Sequence, residues 1–295
     1  MASFTTAPAN WTNVTNDANF RAWGSYISAR LTAVGIVKTA DTGQIDWTTV
    51  ANPGAINTFA GYEIRVFADA LQASAPVYIK IEYGESATTD APAVRFAFGS
   101  GSNGTGTLTG TLSGTYWATG GASVTTACSV HGSGDTARFC MNGGYQAAQV
   151  GMIFGFERTK DAAGADTTEG VLYVATGTAG SVANQRIIGI WNTSLGDVGG
   201  TTAILIPALF PPGATATSGT QIIVVPIFHS KGVFMNPGMN FAGYYTESIA
   251  AAGSPSVYAY GALHTYYTIA AASGWASSNF QGPGAGTEAM MLRYE

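Results

Sequence analysis

The period of the hydrophobic positions changes within the first forty residues. Phe20, Trp23, Ile27, Leu31 and Val34 recur at spacings of three and four, the pattern of a helix that buries one face. Asn16 or Asp17 stands where a side-chain oxygen can cap the first free N–H groups, and Gly35 stands where a helix commonly ends in a left-handed residue. Arg21, Ser25, Ser28 and Arg30 fall largely off the apolar stripe. The pattern predicts one N-terminal amphipathic α-helix. Its apolar face must meet either a sheet of its own chain or a partner subunit, so Phe20, Trp23, Ile27 and Leu31 are the candidate docking residues.

After Gly35 the period becomes two. Residues 36–38 predict a short strand, closed by the turn signal Asp41-Thr42-Gly43. Residues 62–67 and 77–83 both alternate, which predicts two antiparallel strands. Ile64, Val66, Ile79 and Ile81 are expected to share a buried face, with Glu63, Arg65, Lys80 and Glu82 turned outward. Residues 69–76 connect the pair, and Pro76 marks the start of the second strand. Residues 94–98 read as a third strand.

Residues 99–114 are almost entirely Gly, Ser and Thr, so they form either a flexible loop or a polar strand pair carrying little core. The chain divides there into a helix-plus-β attachment region, 1–114, and a β-sandwich-like region, 115–295. In the second region, strands are expected at 151–157, 171–175, 186–191, 203–206, 221–228, 257–260 and 266–270. Many short strands with Gly- and Pro-rich turns predict a mainly β fold, an antiparallel sandwich or jelly-roll.

Charge changes this picture. Charged residues make up 10% of the chain, against about 25% in ordinary soluble domains. Residues 171–287 hold only four of them, Arg186, Asp197, Lys231 and Glu247. A surface so poor in charge is expected to be covered by other copies of the chain, because interface cores are depleted in charge and enriched in aromatics. Tyr244, Tyr245, Tyr258, Tyr260, Tyr266 and Tyr267 crowd the same half, as subunit contacts or core, or as a platform whose flat rings stack on glycans. The net charge of −5 and the lack of any Lys/Arg cluster argue against a nucleic-acid partner. The start of the chain has no basic segment followed by an apolar one, and no apolar stretch approaches the length of a membrane span. The chain is therefore expected to be made in a cytoplasm, without a signal peptide or membrane insertion.

Candidate chemistry is sparse. Gly99, Gly101 and Gly104 match G-x-G-x-x-G, but the Thr- and Gly-rich residues that follow will not open the helix a dinucleotide site needs. Cys128 and Cys140 flank His131 and Asp135 across a turn-like segment. They form a possible disulfide, or two buried thiols, and they lack the second close pair that structural zinc requires. Neither His229 nor His264 has a carboxylate nearby in sequence. No catalytic residue, cofactor or metal site is expected.

Residues 61–72, with Gly61-Tyr62-Glu63-Ile64-Arg65-Val66, are followed by Ala75-Pro76-Val77-Tyr78-Ile79-Lys80-Ile81. Together with the opening helix, Thr42-Gly43-Gln44-Ile45-Asp46-Trp47 and Gly104-Thr105-Gly106-Thr107-Leu108-Thr109-Gly110, this segment resembles virion structural proteins of tailed bacteriophages. The resemblance covers about the first 110 residues. It implies a non-catalytic particle component located in the virion, in the tail, baseplate or collar, assembling with itself and with other virion proteins. The alternatives are a capsid decoration protein or a host-glycan-binding module of the particle.

Overall fold

The computed structural model describes residues 2–4, 14–86, 90–119, 130–143, 152–160, 165–178, 181–189, 197–199, 223–226, 241–246, 256–259, 262–271 and 287–293. In chain order the elements are β1 (Ala2–Phe4), α1 (Asp17–Ala33), β2 (Val37–Lys38), β3 (Phe59–Val66), β4 (Tyr78–Glu85), β5 (Pro92–Ser102), β6 (Leu108–Thr111), β7 (Tyr116–Thr119), β8 (Val130–Asp135) and β9 (Arg138–Gly143). They continue with β10 (Met152–Lys160), β11 (Asp166–Thr178), β12 (Ser181–Gly189), β13 (Asp197–Gly199), β14 (Ile223–Pro226), β15 (Phe241–Thr246), β16 (Ser256–Ala259), β17 (Ala262–Ala271) and β18 (Thr287–Arg293). The protein is mainly β, with antiparallel sheets and one helix at the N-terminus.

The strands form three open sheets. The first runs β2-β3-β4-β5-β6, with β7 also pairing β5; the second runs β1-β8-β9-β10-β11-β12-β13; the third runs β14-β15-β18-β17-β16. The helix has the expected ends. Asn16 caps it by accepting a hydrogen bond from Asn19 N at 2.9 Å, and Gly35 leaves it with φ +92°. Phe20, Trp23, Ile27 and Leu31 are fully buried, and the partner they meet is a sheet of their own chain. One hydrophobic cluster joins them to Ile79, Ile81, Phe96 and Phe98 of the first sheet and to Phe139, Phe154, Phe156 and Leu172 of the second. Phe96 meets Phe154 with ring centres 4.9 Å apart, and Phe98 meets Phe156 at 5.9 Å.

The expected phase of β3 is wrong. Glu63 stands opposite Ile81 and Arg65 opposite Ile79, while Ile64 stands opposite Lys80. Directly opposed residues in an antiparallel pair share a face. Glu63 and Arg65 therefore lie on the helix side with Ile79 and Ile81, and both are buried. Alternation of residue type gives the period of a strand, but its phase is secure only when one face meets water. Ile64 is buried as well, so β3 has no face that is fully wet.

The Gly-rich stretch is a strand pair. β5 runs into it as far as Ser102, and β6 returns, with Ser102 opposite Leu108. β7, beyond the stretch, pairs back onto β5 with Phe96 opposite Tyr116. Arg158 of β10 ties the second sheet to the β3–β4 connection: its Nε donates to Asp69 Oδ2 at 2.5 Å and its Nη2 to Ala75 O at 2.8 Å. The strand expected at 203–206 lies outside the described residues.

Candidate functional site

A buried set of charged groups lies between α1 and the first sheet. Glu63 Oε1 accepts hydrogen bonds from Ser28 Oγ at 2.7 Å and Trp47 Nε1 at 3.1 Å, and Lys38 Nζ stands 3.3 Å away. Glu63 Oε2 accepts from Arg65 Nη2 at 2.9 Å, Arg65 Nε at 3.1 Å and Tyr83 OH at 3.1 Å. The guanidinium is used up by the helix and its exit. Nη1 donates to Thr32 Oγ1 at 2.8 Å and Ile36 O at 3.0 Å, and Nη2 donates to Ser28 O at 3.0 Å. The cluster needs helical spacing, since Ser28 and Thr32 are four residues apart and present their oxygens one turn above the other.

Aromatic rings wall the cluster. Trp47 meets Tyr83 edge-on at 4.8 Å, Trp23 meets Tyr83 at 5.8 Å, and Phe20 meets Trp47 at 5.9 Å. Gly24 makes room for Trp47: a β-carbon there would sit 1.9 Å from the indole Cη2. Burial pushes the Glu63 carboxyl up, but the charges of Arg65 and Lys38 and the Ser28 hydrogen bond outweigh it and hold it below the ordinary range. Burial first, and the neighbouring Glu63 charge second, push the Tyr83 phenol well above its ordinary value. Every functional group in the cluster already has a partner within the chain. Glu63, Arg65 and Tyr83 are all at most 1% exposed, so a substrate has no route to them. The arrangement orients a helix and leaves no group poised for chemistry.

A second cluster closes the Gly-rich hairpin. Asp41 Oδ1 accepts from Thr39 Oγ1 at 2.6 Å; Oδ2 accepts from Gly106 N at 3.2 Å and from the Ser102 hydroxyl. Burial raises the Asp41 carboxyl, and the Ser102, Thr39 and Gly106 hydrogen bonds outweigh it, so its pKa is lowered. Thr42 N donates to Gly104 O at 2.8 Å, and Tyr62 OH donates to Thr42 O at 2.7 Å. Gly104 and Gly106 have φ +83° and +85°, and a β-carbon on Gly106 would lie 2.1 Å from the Tyr62 hydroxyl. The G-x-G-x-x-G residues thus occupy β5 and its hairpin, and the next element is β6 rather than a helix. Among the described residues, no helix follows this hairpin to offer the N-terminus that a pyrophosphate site needs.

The other face of the first sheet carries a row across four strands: Tyr62, Glu82, Arg95 and Trp117 stand directly opposite one another in turn. Arg95 Nε donates to Glu82 Oε2 at 2.5 Å and lies over the Phe59 ring at 4.2 Å and the Trp117 ring at 5.4 Å. Lys80 lies over the Tyr62 ring at 4.7 Å and 3.5 Å from Glu82. The row clamps β7 and β3 to the sheet centre through groups that satisfy one another.

Of the residues singled out in the sequence, Cys140 is buried on β9 opposite Ser133, and Cys128 lies outside the described residues. His131 falls on β8 and His264 on β17; His229 lies outside the described residues. Tyr244 and Tyr245 fall on β15, Tyr258 on β16, and Tyr266 and Tyr267 on β17, with β18 between β15 and β17. Tyr260 is outside the described residues. Among the described residues, no group of three or more His, Cys, Asp or Glu is placed to hold a metal, and no helix is long and apolar enough to cross a membrane. The Glu63–Arg65 cluster was missed because its members look like solvent-facing charges; Ser28 and Thr32, one turn apart on α1, were the available signal.

No protein-family model, curated protein or solved structure matches the chain.

Proposed function

We propose that this protein is a non-catalytic structural subunit of a tailed-bacteriophage virion, in the tail, baseplate or collar, and that it works as a homo-oligomer. The observation that carries this reading is the charge distribution: four charged residues in the 117 positions from 171 to 287. A monomer surface with so few charges stays poorly solvated, and neighbouring subunits would cover it. The sequence resemblance in the first 110 residues or so supplies the particle. The closed clusters under α1 and at the hairpin support a structural role, since their charges are spent on holding elements together. The phenylalanines that meet between the first two sheets support a sandwich as the frame of the subunit.

Light scattering over a range of concentrations tests the oligomer. A constant mass at a multiple of 30.3 kDa is expected, and a monomer at all concentrations overturns it. Gold-labelled antibody against the purified chain tests the particle. Labelling at one position on intact virions is expected, and virions without label refute the assignment.

A further inference from the structure

We infer that Asn103 is a self-modification site: the Gly104 amide nitrogen attacks the Asn103 carboxamide, assisted by Ser102 and Asp41, and converts it to a cyclic imide and then to an acid. This chemistry is separate from the assembly proposed above. An Asn followed by Gly is the starting point, because the glycine has no β-carbon to hinder its nitrogen. The chain has two such pairs, Asn103-Gly104 between β5 and β6 and Asn142-Gly143 in β9. Only the first sits among groups that assist ring closure.

The attacking nitrogen has a path for its proton. Gly104 N donates to Ser102 Oγ at 3.4 Å, a long bond. The Ser102 hydroxyl in turn donates to Asp41 Oδ2, with Thr107 O a more distant acceptor at 3.5 Å. Burial raises the Asp41 carboxyl, but the hydrogen bonds from Ser102, Thr39 and Gly106 outweigh it. The carboxylate is therefore ionised at neutral pH and able to accept through Ser102.

The attacked carbonyl has a cradle. Asn103 Oδ1 accepts from Thr105 N at 2.9 Å, Thr105 Oγ1 at 3.0 Å and Thr107 N at 3.1 Å. Such donors bind a developing oxyanion more strongly than the neutral carbonyl. The tip is also anchored, with Asn103 N donating to Thr107 O at 2.9 Å and Thr42 N to Gly104 O at 2.8 Å. Anchoring keeps the reacting groups together. Asn103 and Gly104 are both exposed, so water can reach them and ammonia can leave.

The bond from Gly104 N to Asn103 Cγ forms as the amide proton passes to Ser102 and the Ser102 proton to Asp41. The Cγ–Nδ2 bond then breaks, and the leaving nitrogen takes that proton back and departs as ammonia. Water adds to one carbonyl of the imide and opens it to aspartate or isoaspartate. Asn142, by contrast, is fixed in a strand paired on both sides, opposite His131 and Ile153. Ring closure there requires the strand to leave the sheet.

Peptide mass spectrometry on the full chain, held in mildly alkaline buffer with and without concentrated urea, tests this. The urea sample supplies the unassisted rate. Asn103 is expected to gain the mass difference between an amide and an acid faster in the folded protein than in urea, and Asn142 more slowly. Ser102→Ala with an unchanged near-ultraviolet circular dichroism spectrum should slow Asn103 by about tenfold or more. If that variant does not fold, Asp41→Asn carries the same expectation. A folded wild type converting Asn103 no faster than in urea overturns the site. A folded Ser102→Ala or Asp41→Asn protein converting Asn103 at the wild-type rate overturns the assistance and with it the inference.

Discussion

Glu63 concentrates the electrostatics of the N-terminal region in one carboxylate. It accepts from Ser28, Trp47, Arg65 and Tyr83, with Lys38 beside it. Glu63→Gln leaves Arg65, 1% exposed, without its counter-ion. Breaking one partner of a buried pair costs about 3–5 kcal/mol, so a clear shift to lower denaturant in urea unfolding is expected. The pH dependence has a defined sign. The folded carboxyl lies below its ordinary 4.5, so the unfolded chain binds protons first on acidification. Stability from this group is full above the unfolded pKa and is lost as pH falls through the lower folded value. Glu63→Gln should flatten that part of the profile between neutral pH and acid. Asp41 is lowered too and acts in the same direction, so some acid sensitivity survives in the variant. Gly24 gives a steric test: its replacement by Ala drives a methyl into Trp47, and overpacking of this kind costs about 1–3 kcal/mol. A melting temperature equal to wild type in Gly24→Ala would contradict the packing of α1 described above.

At the level of elements, α1 is held by two different kinds of contact. The stripe Phe20, Trp23, Ile27 and Leu31 supplies burial that is not directional. The Arg65 guanidinium, bonded to Ser28, Thr32 and Ile36, fixes the rotation and register of the helix on the sheet. Ile27→Ala should cost about 2–5 kcal/mol in chemical denaturation, through lost transfer energy and the cavity left behind. The hairpin of β5 and β6 is held at its tip. Gly106→Ala meets the Tyr62 ring and demands a left-handed alanine, so it should release the tip from Thr42. Faster amide exchange at Thr42 and Gly106, with α1 unaffected, is the expected signature; unchanged protection would mean the clamp does not hold the tip.

For the whole molecule, the contrast is between its two ends. Residues 1–170 hold 22 of the 29 charged residues, and among the described ones many pair within the chain. The region from 171 to 287 has almost none to pair. An oligomer whose contacts are formed by that region should keep its mass in high salt, because apolar contacts and strand pairing are not screened. Dissociation in about 1 M salt, where the Debye length falls to about 3 Å, would instead point to charged contacts formed by residues 1–170.

The sequence by itself determined the elements whose local chemistry is strong. The α1 stripe, its Asn16 cap and its Gly35 exit were legible because capping and a 3.6-residue period act within a few residues. The strands β3, β4, β5, β10, β11 and β14 were legible in the same way, from their apolar runs. The strands β1, β8, β9, β15 and β18 carry weak patterns, many of them rich in Gly or Ala, and only their pairing partners define them. Tertiary structure alone decided which face of β3 is inside. Glu63 and Arg65 became interior because Ile79 and Ile81, on the neighbouring strand and beyond the reach of any local signal, stand opposite them in the register of the pair. A charge reads as surface in sequence because water is its default partner. It takes the folded chain to supply Ser28, Thr32, Trp47 and Tyr83 in place of water, and those residues lie up to 37 positions from Arg65.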